Sequence, residues 1–438
     1  MIAIHNNPTT GKWDELLRRP VALQQDLAEA VKTVMNAVKA KGDEALLEYS
    51  ERFDGVTDNP LRLRLKAAEI RKDIDQDLAQ AIDTAYENIY KFHKAGAPQD
   101  QAPIETSPGV TCWRKILPIQ SVGLYVPGGT APLFSTVLML GIPAQIAGCS
   151  KVILCTPPRV DGQVHPAIAY AALKCGIDTI YTVGGSQAIA ALTYGTETIP
   201  QVDKIFGPGN SYVMEAKQQA TTQGVAIDMP AGPSEVLIIA DQSAHPAFVA
   251  ADLLAQAEHG PDSQVILLTD SDVLAREVNN QLREQVSYLD ALSRKREEQP
   301  RTSIIEQALQ NSRTLVLENL EEAIAASNQY APEHLIINTA NPEGVAARVT
   351  RAGSIFLGPY TCESLGDYAS GTNHTLPTAG YARNYSGVSV DSFVNKVTLQ
   401  RATEAGIHNL GPVVQVMARA EGLYAHENAV TERIKATR

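Results

Sequence analysis

Short aliphatic segments alternate with helical segments through the middle of the chain, and this alternation limits the fold more than any other feature. In the first block the predicted strands are 151–155, 179–183 and 202–206, and predicted helices follow at 166–175, from 186 and at 210–219. Strands separated by a helix of this length pair in parallel through right-handed crossovers. The block therefore predicts a parallel sheet with helices on its faces.

Later blocks repeat the alternation, with predicted strands at 236–240, 264–268, 314–317, 335–338 and 354–357. The first hundred residues show mainly helical periodicity, and polar turns followed by a helical tail begin near residue 387. A chain of 438 residues is too long for a single hydrophobic core. We therefore predict an α/β protein with two incomplete, doubly wound Rossmann-like domains and small terminal extensions.

The predicted domains are discontinuous. A first α/β domain comprises 28–121 and 236–328, and a second comprises 122–235 and 329–386. Residues 1–27 form the N-terminal extension, and 387–438 form the C-terminal extension.

Charge and cysteine content exclude several classes of function. The formal net charge of −12 argues against nucleic acid or an anionic membrane as a partner, because both require a basic surface. No apolar stretch reaches the roughly 18 residues of a membrane span, and 1–19 carry no signal-peptide core. The five cysteines are an odd number without a Cys-x-x-Cys pair. These features predict a cytoplasmic protein with reduced thiols.

Glycine-rich turns follow three of the predicted strands, at 125–129, 183–187 and 206–210. Such turns allow the backbone amides at a helix N-terminus to approach a phosphate. The third turn is close to the Gly-x-Gly-x-x-Gly fingerprint, but Tyr212 stands where the last glycine belongs. Taken alone, the turns fit either ordinary tight turns or a site for a phosphate-bearing ligand such as a dinucleotide.

Three separate segments carry potential metal ligands. Gln256 and His259 are three residues apart on a predicted helix, so both project from one face. Asp367 and His374 lie in a glycine-rich segment, and His426 lies in the tail. Imidazole, carboxylate and amide groups together suit a borderline divalent ion such as zinc, although isolated surface residues of these types usually bind no metal.

Glu333 and His334 are adjacent, immediately before a predicted strand. Histidine transfers protons efficiently near neutral pH, and a carboxylate can act as a second base. The pair fits general acid–base catalysis, but an ordinary surface or helix-end pair also fits the sequence. The cysteines show no comparable motif, and no catalytic thiol is predicted.

The segment from Ile227 to Glu235, together with the segment that ends in Gln256-Ala257-Glu258-His259-Gly260, closely resembles the signature of the histidinol dehydrogenase family. Similarity to that family extends from Val38 to His426. The resemblance implies a zinc enzyme that oxidises L-histidinol through L-histidinal to L-histidine with two NAD, the last steps of histidine biosynthesis. It also implies an intertwined homodimer in which the C-terminal tail reaches the neighbouring subunit.

The same resemblance implies roles for individual residues. One zinc ion per subunit is expected on Gln256, His259, Asp367 and His426. His334 is expected to act as the general acid–base group and Glu333 to activate water. NAD, a co-substrate, is expected to contact Tyr125, Gln187 and Asn210. The residues expected to bind substrate are Ser234, Gln256, His259, His334, Asp367, His374, Glu421 and His426.

Two other functions remain compatible with individual motifs. A metal-dependent hydrolase would use the same ligands and the Glu333 base, but it would need no NAD. A non-catalytic, two-domain binding protein would usually be exported, and the absence of a signal peptide argues against that alternative.

Overall fold

The computed structural model describes all residues except 21–23, 57–61, 72–73, 129–131, 231, 297–299 and 438. The end of the first glycine turn and residue 231 of the signature segment therefore lie outside the described residues.

The described strands are β1 (Ala3–Asn6), β2 (Arg64–Lys66), β3 (Ile104–Ser107), β4 (Val110–Pro118), β5 (Ser121–Tyr125), β6 (Lys151–Thr156), β7 (Thr179–Thr182), β8 (Lys204–Phe206), β9 (Ala226–Ile227), β10 (Glu235–Ala240), β11 (Gln264–Thr269), β12 (Arg313–Val316), β13 (His334–Asn338), β14 (Ser354–Leu357) and β15 (Val394–Ala402).

The described α-helices are α1 (Trp13–Leu16), α2 (Gln24–Lys41), α3 (Asp43–Asp54), α4 (Ala67–Ile70), α5 (Gln76–Ala95), α6 (Phe134–Ala147), α7 (Pro166–Lys174), α8 (Gly185–Tyr194), α9 (Ser211–Thr221), α10 (Pro246–Ala257), α11 (Asp272–Lys295), α12 (Thr302–Gln310), α13 (Leu320–Tyr330), α14 (Pro342–Ala346), α15 (Glu363–Tyr368), α16 (Glu404–Ala420) and α17 (Tyr424–Ala436).

The first sheet has the order β2-β7-β6-β5-β8-β9, and all its strand pairs are parallel except β2 with β7. The chain runs outward from β5 through β6 to β7, then returns to the other side of β5 through β8 and β9. The strand order therefore reverses between β5 and β8. In doubly wound sheets, ligands bind outside the carboxyl ends of the strands at such a reversal.

The second sheet has the order β1-β12-β11-β10-β13-β14, and every pair in it is parallel. Its strand order reverses between β10 and β13. Every residue of β10 and β11 is buried, because helices cover both faces. The continuous aliphatic runs that predicted these strands result from this double burial.

A third sheet, β15-β4-β3, is antiparallel and joins the tail to the rest of the chain. Strand β15 was not predicted from the sequence. Most of its residues are exposed, so it lacks the aliphatic pattern of a buried strand. Helix α16 follows β15 and packs against α17 and β3.

The α/β class and the parallel sheets are confirmed, but the strands are not distributed as the predicted division into domains requires. Strands β10 to β14, between residues 235 and 357, all belong to the second sheet together with β1. Strands β2 and β5 to β9, between residues 64 and 227, form the first sheet. Residues 28–121 therefore do not share a sheet with 236–328, nor 122–235 with 329–386.

Within the described residues, no helix is long and apolar enough to cross a membrane. The cytoplasmic location stays a prediction.

Candidate active site

The amino-terminal edge of the second sheet carries a buried cluster of polar side chains. Strands β10 and β13 are neighbours there, with Val236 opposite His334, so Glu235, Glu333 and His334 lie side by side. The backbone N–H of Glu235 donates to Oε2 of Glu333 (2.8 Å), and Nδ1 of His334 lies 3.2 Å from the carbonyl oxygen of Glu235. If Nδ1 donates to that carbonyl, Nε2 is left available for proton exchange.

Helix α10 delivers Gln256 to this cluster at its C-terminal end. Gln256 is buried, and its Nε2 lies 3.4 Å from Oε2 of Glu333 and 3.5 Å from Nδ1 of His334. His259 lies two residues beyond the end of α10, at the exposed side of the cluster. Loss of solvent around its ring lowers the pKa of His259, whereas the Asp367 carboxylate acts in the opposite direction.

Helix α15 contributes two carboxylates from the other side. Oδ1 of Asp367 lies 3.4 Å from Nε2 of His334. Glu363 lies one turn earlier in the same helix and is buried. One ligand atom from each of His334, Glu363 and Asp367 lies within 4.8 Å of the others. These distances are short enough for the three ligand atoms to coordinate one metal ion.

The chemistry of these groups suits a divalent cation. Several of their buried atoms have no hydrogen-bond partner among the described residues, namely Gln256 Oε1, His334 Nε2, Glu363 Oε2 and Asp367 Oδ1. Buried polar atoms without partners are costly, and a bound metal ion would satisfy them. The donor types, an imidazole, an amide oxygen and carboxylates, are compatible with zinc.

Burial and mutual charge perturb the titration of the cluster. Burial raises the pKa of Glu333 and, more strongly, that of Glu363. Burial alone would lower the pKa of His334, but the carboxylates of Glu363, Glu333 and Asp367 outweigh it and raise that pKa well above its ordinary value. Buried acids and an imidazole with displaced pKa values are typical of acid–base sites.

His374 connects this cluster to the first sheet. Its Nδ1 lies 2.8 Å from the carbonyl oxygen of Asp367, and its Nε2 lies 3.0 Å from Oγ1 of Thr136 in the first turn of α6. Helix α6 follows β5, so this contact places the amino edge of the second sheet close to the carboxyl edge of the first.

The three glycine turns lie at that carboxyl edge. Tyr125 ends β5, and its buried hydroxyl accepts a hydrogen bond from the N–H of Gly185 (3.1 Å). Gln187 is buried in the first turn of α8, while Asn210 caps α9 by accepting from the N–H groups of Tyr212 and Val213. The turns at 125 and 206–210 flank the reversal between β5 and β8, which is the expected place for a dinucleotide.

The chain is similar to known proteins over nearly its whole length. The family profile described as histidinol dehydrogenase matches residues 17–434. The histidinol dehydrogenase of Bacteroides thetaiotaomicron is 51% identical over 437 residues, covering 99% of both chains. That of Xanthomonas campestris pv. campestris is 53% identical over 423 residues, covering 96% of both. The crystal structure of histidinol dehydrogenase from Elizabethkingia anophelis superposes with a TM-score of 0.93 at 52% identity, covering 99% of this chain and 98% of that one.

The chain belongs to the histidinol dehydrogenase family. This family comprises NAD-dependent oxidoreductases of histidine biosynthesis that use zinc. A dehydrogenase that uses a metal needs a metal site near a dinucleotide site, and His374 connects the two sheet edges where such sites are expected.

The structure brings together most of the residues that the resemblance to histidinol dehydrogenases assigns to the site. Gln256, Glu333, His334, Asp367 and His374 are in contact with one another or with a shared neighbour. His259 lies within electrostatic range of Asp367 and His334, and Ser234 immediately precedes Glu235 in β10.

Glu421 and His426 are not part of this cluster within one chain. Both are exposed near the junction of α16 and α17. Of the four predicted zinc ligands, Gln256, His259 and Asp367 lie at or near the cluster, and His426 does not.

Several residues of this candidate site were not identified from the sequence. Glu363 lies four residues before Asp367, so helical spacing was a signal that could have found it. Glu235 is the only charged residue in the aliphatic strand β10. Arg19, whose guanidinium forms two hydrogen bonds to Glu235, is more than two hundred residues away and has no local signal.

Proposed function

We propose that this chain is a zinc-dependent histidinol dehydrogenase that converts L-histidinol to L-histidine in two successive oxidations, each transferring a hydride to NAD. The observation that carries the proposal is the buried acid–base cluster around His334, which faces the dinucleotide edge of the other sheet across the contact between His374 and Thr136. Family membership does not favour the hydrolase or the non-catalytic binding protein.

In the first oxidation, the hydroxyl of L-histidinol loses its proton to Nε2 of neutral His334 as the carbon that bears the hydroxyl loses hydride to NAD. A zinc ion bound beside the carboxylates would offset the negative charge that raises the pKa of His334 and so favour the neutral imidazole. The products are an aldehyde, NADH and a protonated imidazole, which must pass its proton to solvent before it can act again. The bond from Nδ1 to the Glu235 carbonyl fixes the orientation of the ring throughout.

The second oxidation requires addition of water to the aldehyde. Glu333 is the proposed base for this step, since burial raises its pKa and a carboxylate with a raised pKa removes a proton more readily. The hydrated aldehyde then gives up hydride to a second NAD and a proton to His334, which yields the carboxylic acid.

Gln256, His259 and Asp367 are the proposed zinc ligands from one chain, with His426 of a second copy completing the protein ligands. When bound, zinc would act as a Lewis acid that fixes an amino alcohol through its nitrogen atoms. Ser234, His374 and, from the second copy, Glu421 are the proposed substrate contacts. Tyr125, Gln187 and Asn210 are the proposed NAD contacts.

A homodimer with shared sites follows from this assignment. In one chain, His426 is exposed and α16 presents exposed apolar side chains, among them Val416 and Met417 at 64% and 60%. A second copy that covers this surface would bury these side chains and bring Glu421 and His426 to the cluster of its partner.

Stoichiometry tests the reaction directly. We expect two equivalents of NADH for each L-histidinol consumed, loss of activity on chelation and recovery when zinc is added back. NADH is followed by its absorbance, and histidine by chromatography. Consumption of L-histidinol without NADH would contradict the dehydrogenase assignment. One equivalent of NADH with accumulation of the aldehyde would contradict the role given to Glu333.

A further inference from the structure

A buried ion pair lies beneath the third glycine turn. Nζ of Lys217 in α9 is 2.5 Å from Oδ1 of Asp228, and their side chains are only 2% and 0% exposed. Desolvation of two charges offsets most of their attraction, so such a pair adds little net stability compared with apolar residues. Asp228 belongs to the signature segment 227–235, yet its side chain is too deeply buried to meet a substrate.

Both members of the pair bind the backbone of Gly207. The N–H of Gly207 donates to Oδ2 of Asp228 (2.8 Å), and Nζ of Lys217 donates to the Gly207 carbonyl oxygen (2.8 Å). The two polar groups of this residue are thus held by opposite charges. Charge-assisted hydrogen bonds of this kind are stronger and more directional than neutral ones.

Gly207 occupies a conformation that only glycine can adopt at this place. Its φ is +129°, and a Cβ added to it would lie 2.0 Å from the carbonyl oxygen of Tyr125. The backbone of the turn therefore packs directly on the end of β5. A movement of Gly207 would displace both Tyr125 and the turn that leads to Asn210.

We propose that Lys217 and Asp228 are positioning residues for NAD. They hold the turn 206–210 against Tyr125, at the reversal of strand order between β5 and β8. The turn is therefore ordered before NAD binds, and binding does not have to order it. The inference rests on the proposed function, because it assumes that this edge receives NAD. Neither side chain touches the cofactor, and both act through Gly207.

The test replaces the pair without leaving an unpaired buried charge. In the double variant Lys217→Met with Asp228→Asn, the amide oxygen can still accept from Gly207, but the bond from Lys217 to the Gly207 carbonyl is lost. We expect the KM for NAD and the Kd for NADH to rise about tenfold, the change expected from loss of one charge-assisted hydrogen bond. The KM for L-histidinol and the bound zinc should change less than about twofold, since their ligands belong to the second sheet.

Val225→Ala is the control for a purely structural role. Val225 is buried just before β9 and has no hydrogen bond to the turn, so its truncation should lower the Tm while leaving the KM for NAD unchanged. Lys217→Gln with Asp228→Asn is the second variant should the first double variant not fold. It also leaves no buried charge. Because a neutral amide can still donate to the Gly207 carbonyl, it should raise the KM for NAD by less than the first double variant, although by more than Val225→Ala.

The inference is overturned when the folded double variant, or Lys217→Gln with Asp228→Asn in its place, binds NADH as tightly as the unmodified protein. Parallel increases in both KM values, or an equal increase in Val225→Ala, would also overturn it. NADH binding is measured by fluorescence titration without turnover. Failure of the unmodified protein to oxidise L-histidinol would instead remove the proposed function.

Discussion

At the scale of single residues, the orientation of the proposed catalytic pair, Glu333 and His334, depends on one backbone position. The backbone N–H of Glu235 donates a hydrogen bond to Glu333, and its carbonyl oxygen faces Nδ1 of His334. Displacement of Glu235 would therefore disturb both side chains. The Glu235 carboxylate accepts two hydrogen bonds from Arg19 and one from the N–H of Ala379. The Arg19 guanidinium also lies 3.8 Å from the centre of the Tyr330 ring. Arg19 therefore fixes the start of β10 from outside the sheet.

Replacement of Arg19 by Met should reduce both stability and turnover. The Glu235 side chain is only 4% exposed, and an unpaired carboxylate at that depth should cost roughly 3–5 kcal/mol in the free energy of unfolding. We expect kcat to fall more than either KM rises, because the catalytic pair loses its orientation while the ligand-binding groups remain. Denaturant titration and steady-state kinetics measure these effects.

Arg348→Met is the matched control for that prediction. Arg348 also pairs with a glutamate, Glu321, but the two side chains are 45% and 65% exposed. An exposed pair of this type contributes about 0–1 kcal/mol. If Arg19→Met were no more damaging than Arg348→Met, the proposed control of Glu235 by Arg19 would be refuted.

The residues of the candidate site differ in how far the sequence can identify them. Glu333 and His334 are adjacent, and Gln256 and His259 share a helical face, so local spacing indicated that each pair belongs together. Arg19 and Glu235 are 216 residues apart in the sequence and are brought together by the tertiary fold. No local pattern records such a contact, because the energy of a long-range pair depends on the complete fold.

At the scale of elements, α15 is a six-residue helix that carries one buried carboxylate, Glu363, and one half-buried carboxylate, Asp367. Glu363 and Asp367 occupy successive turns on its inner face, and Gly366 between them packs against Phe356 of β14. The position of both carboxylates thus depends on how closely this helix approaches the sheet.

Gly366→Ala should move α15 away from the sheet. A Cβ at this position would lie 2.6 Å and 3.0 Å from two ring atoms of Phe356, and 3.1 Å from Oγ1 of Thr372. Overpacking of this kind costs typically about 1–3 kcal/mol, and a displaced Asp367 should weaken metal binding about tenfold or more. Zinc retained after dialysis against a weak chelator, together with activity, measures the effect.

Leu365→Ala tests the exposed face of the same helix. Leu365 is 47% exposed, so its truncation changes helix α15 but adds no atoms near Phe356. We expect zinc retention close to that of the unmodified protein. Equal zinc loss in both variants would show that any change in α15 suffices and would contradict the steric explanation.

Elements of the two parallel sheets were predictable because burial on both faces requires continuous aliphatic runs. Such runs at 236–240 and 264–268 correspond to β10 and β11. Strand β15 has mostly exposed residues and pairs with β4 on one edge only, so its pattern resembles that of a polar loop. Strand prediction succeeded where the core imposed a pattern.

At the scale of the whole molecule, the site depends on the relation between two doubly wound sheets. The carboxyl edge of the first carries the glycine turns, and the amino edge of the second carries the acid–base cluster. Periodicity identifies a strand but does not select its sheet, because that choice depends on partners distant in the chain. This is why parallel sheets could be predicted from the sequence, whereas the predicted division of the chain did not place β13 and β14 in one sheet with β10 to β12.

Subunit complementation tests whether the second copy completes this site. His334→Ala and His426→Ala should each be inactive as homodimers. In a mixed dimer, one site contains both defects and the other contains neither, so random exchange in an equimolar mixture should restore about a quarter of full activity.

A mixture of His334→Ala with Glu333→Gln should recover nothing, because both defects lie in the part of the site that one chain supplies. Absence of recovery in the first mixture, with exchange shown by mass spectrometry of differently labelled subunits, would mean that His426 serves no neighbouring site. The tail would then pack only on its own chain, and the exposed apolar side chains of α16 would need a different partner.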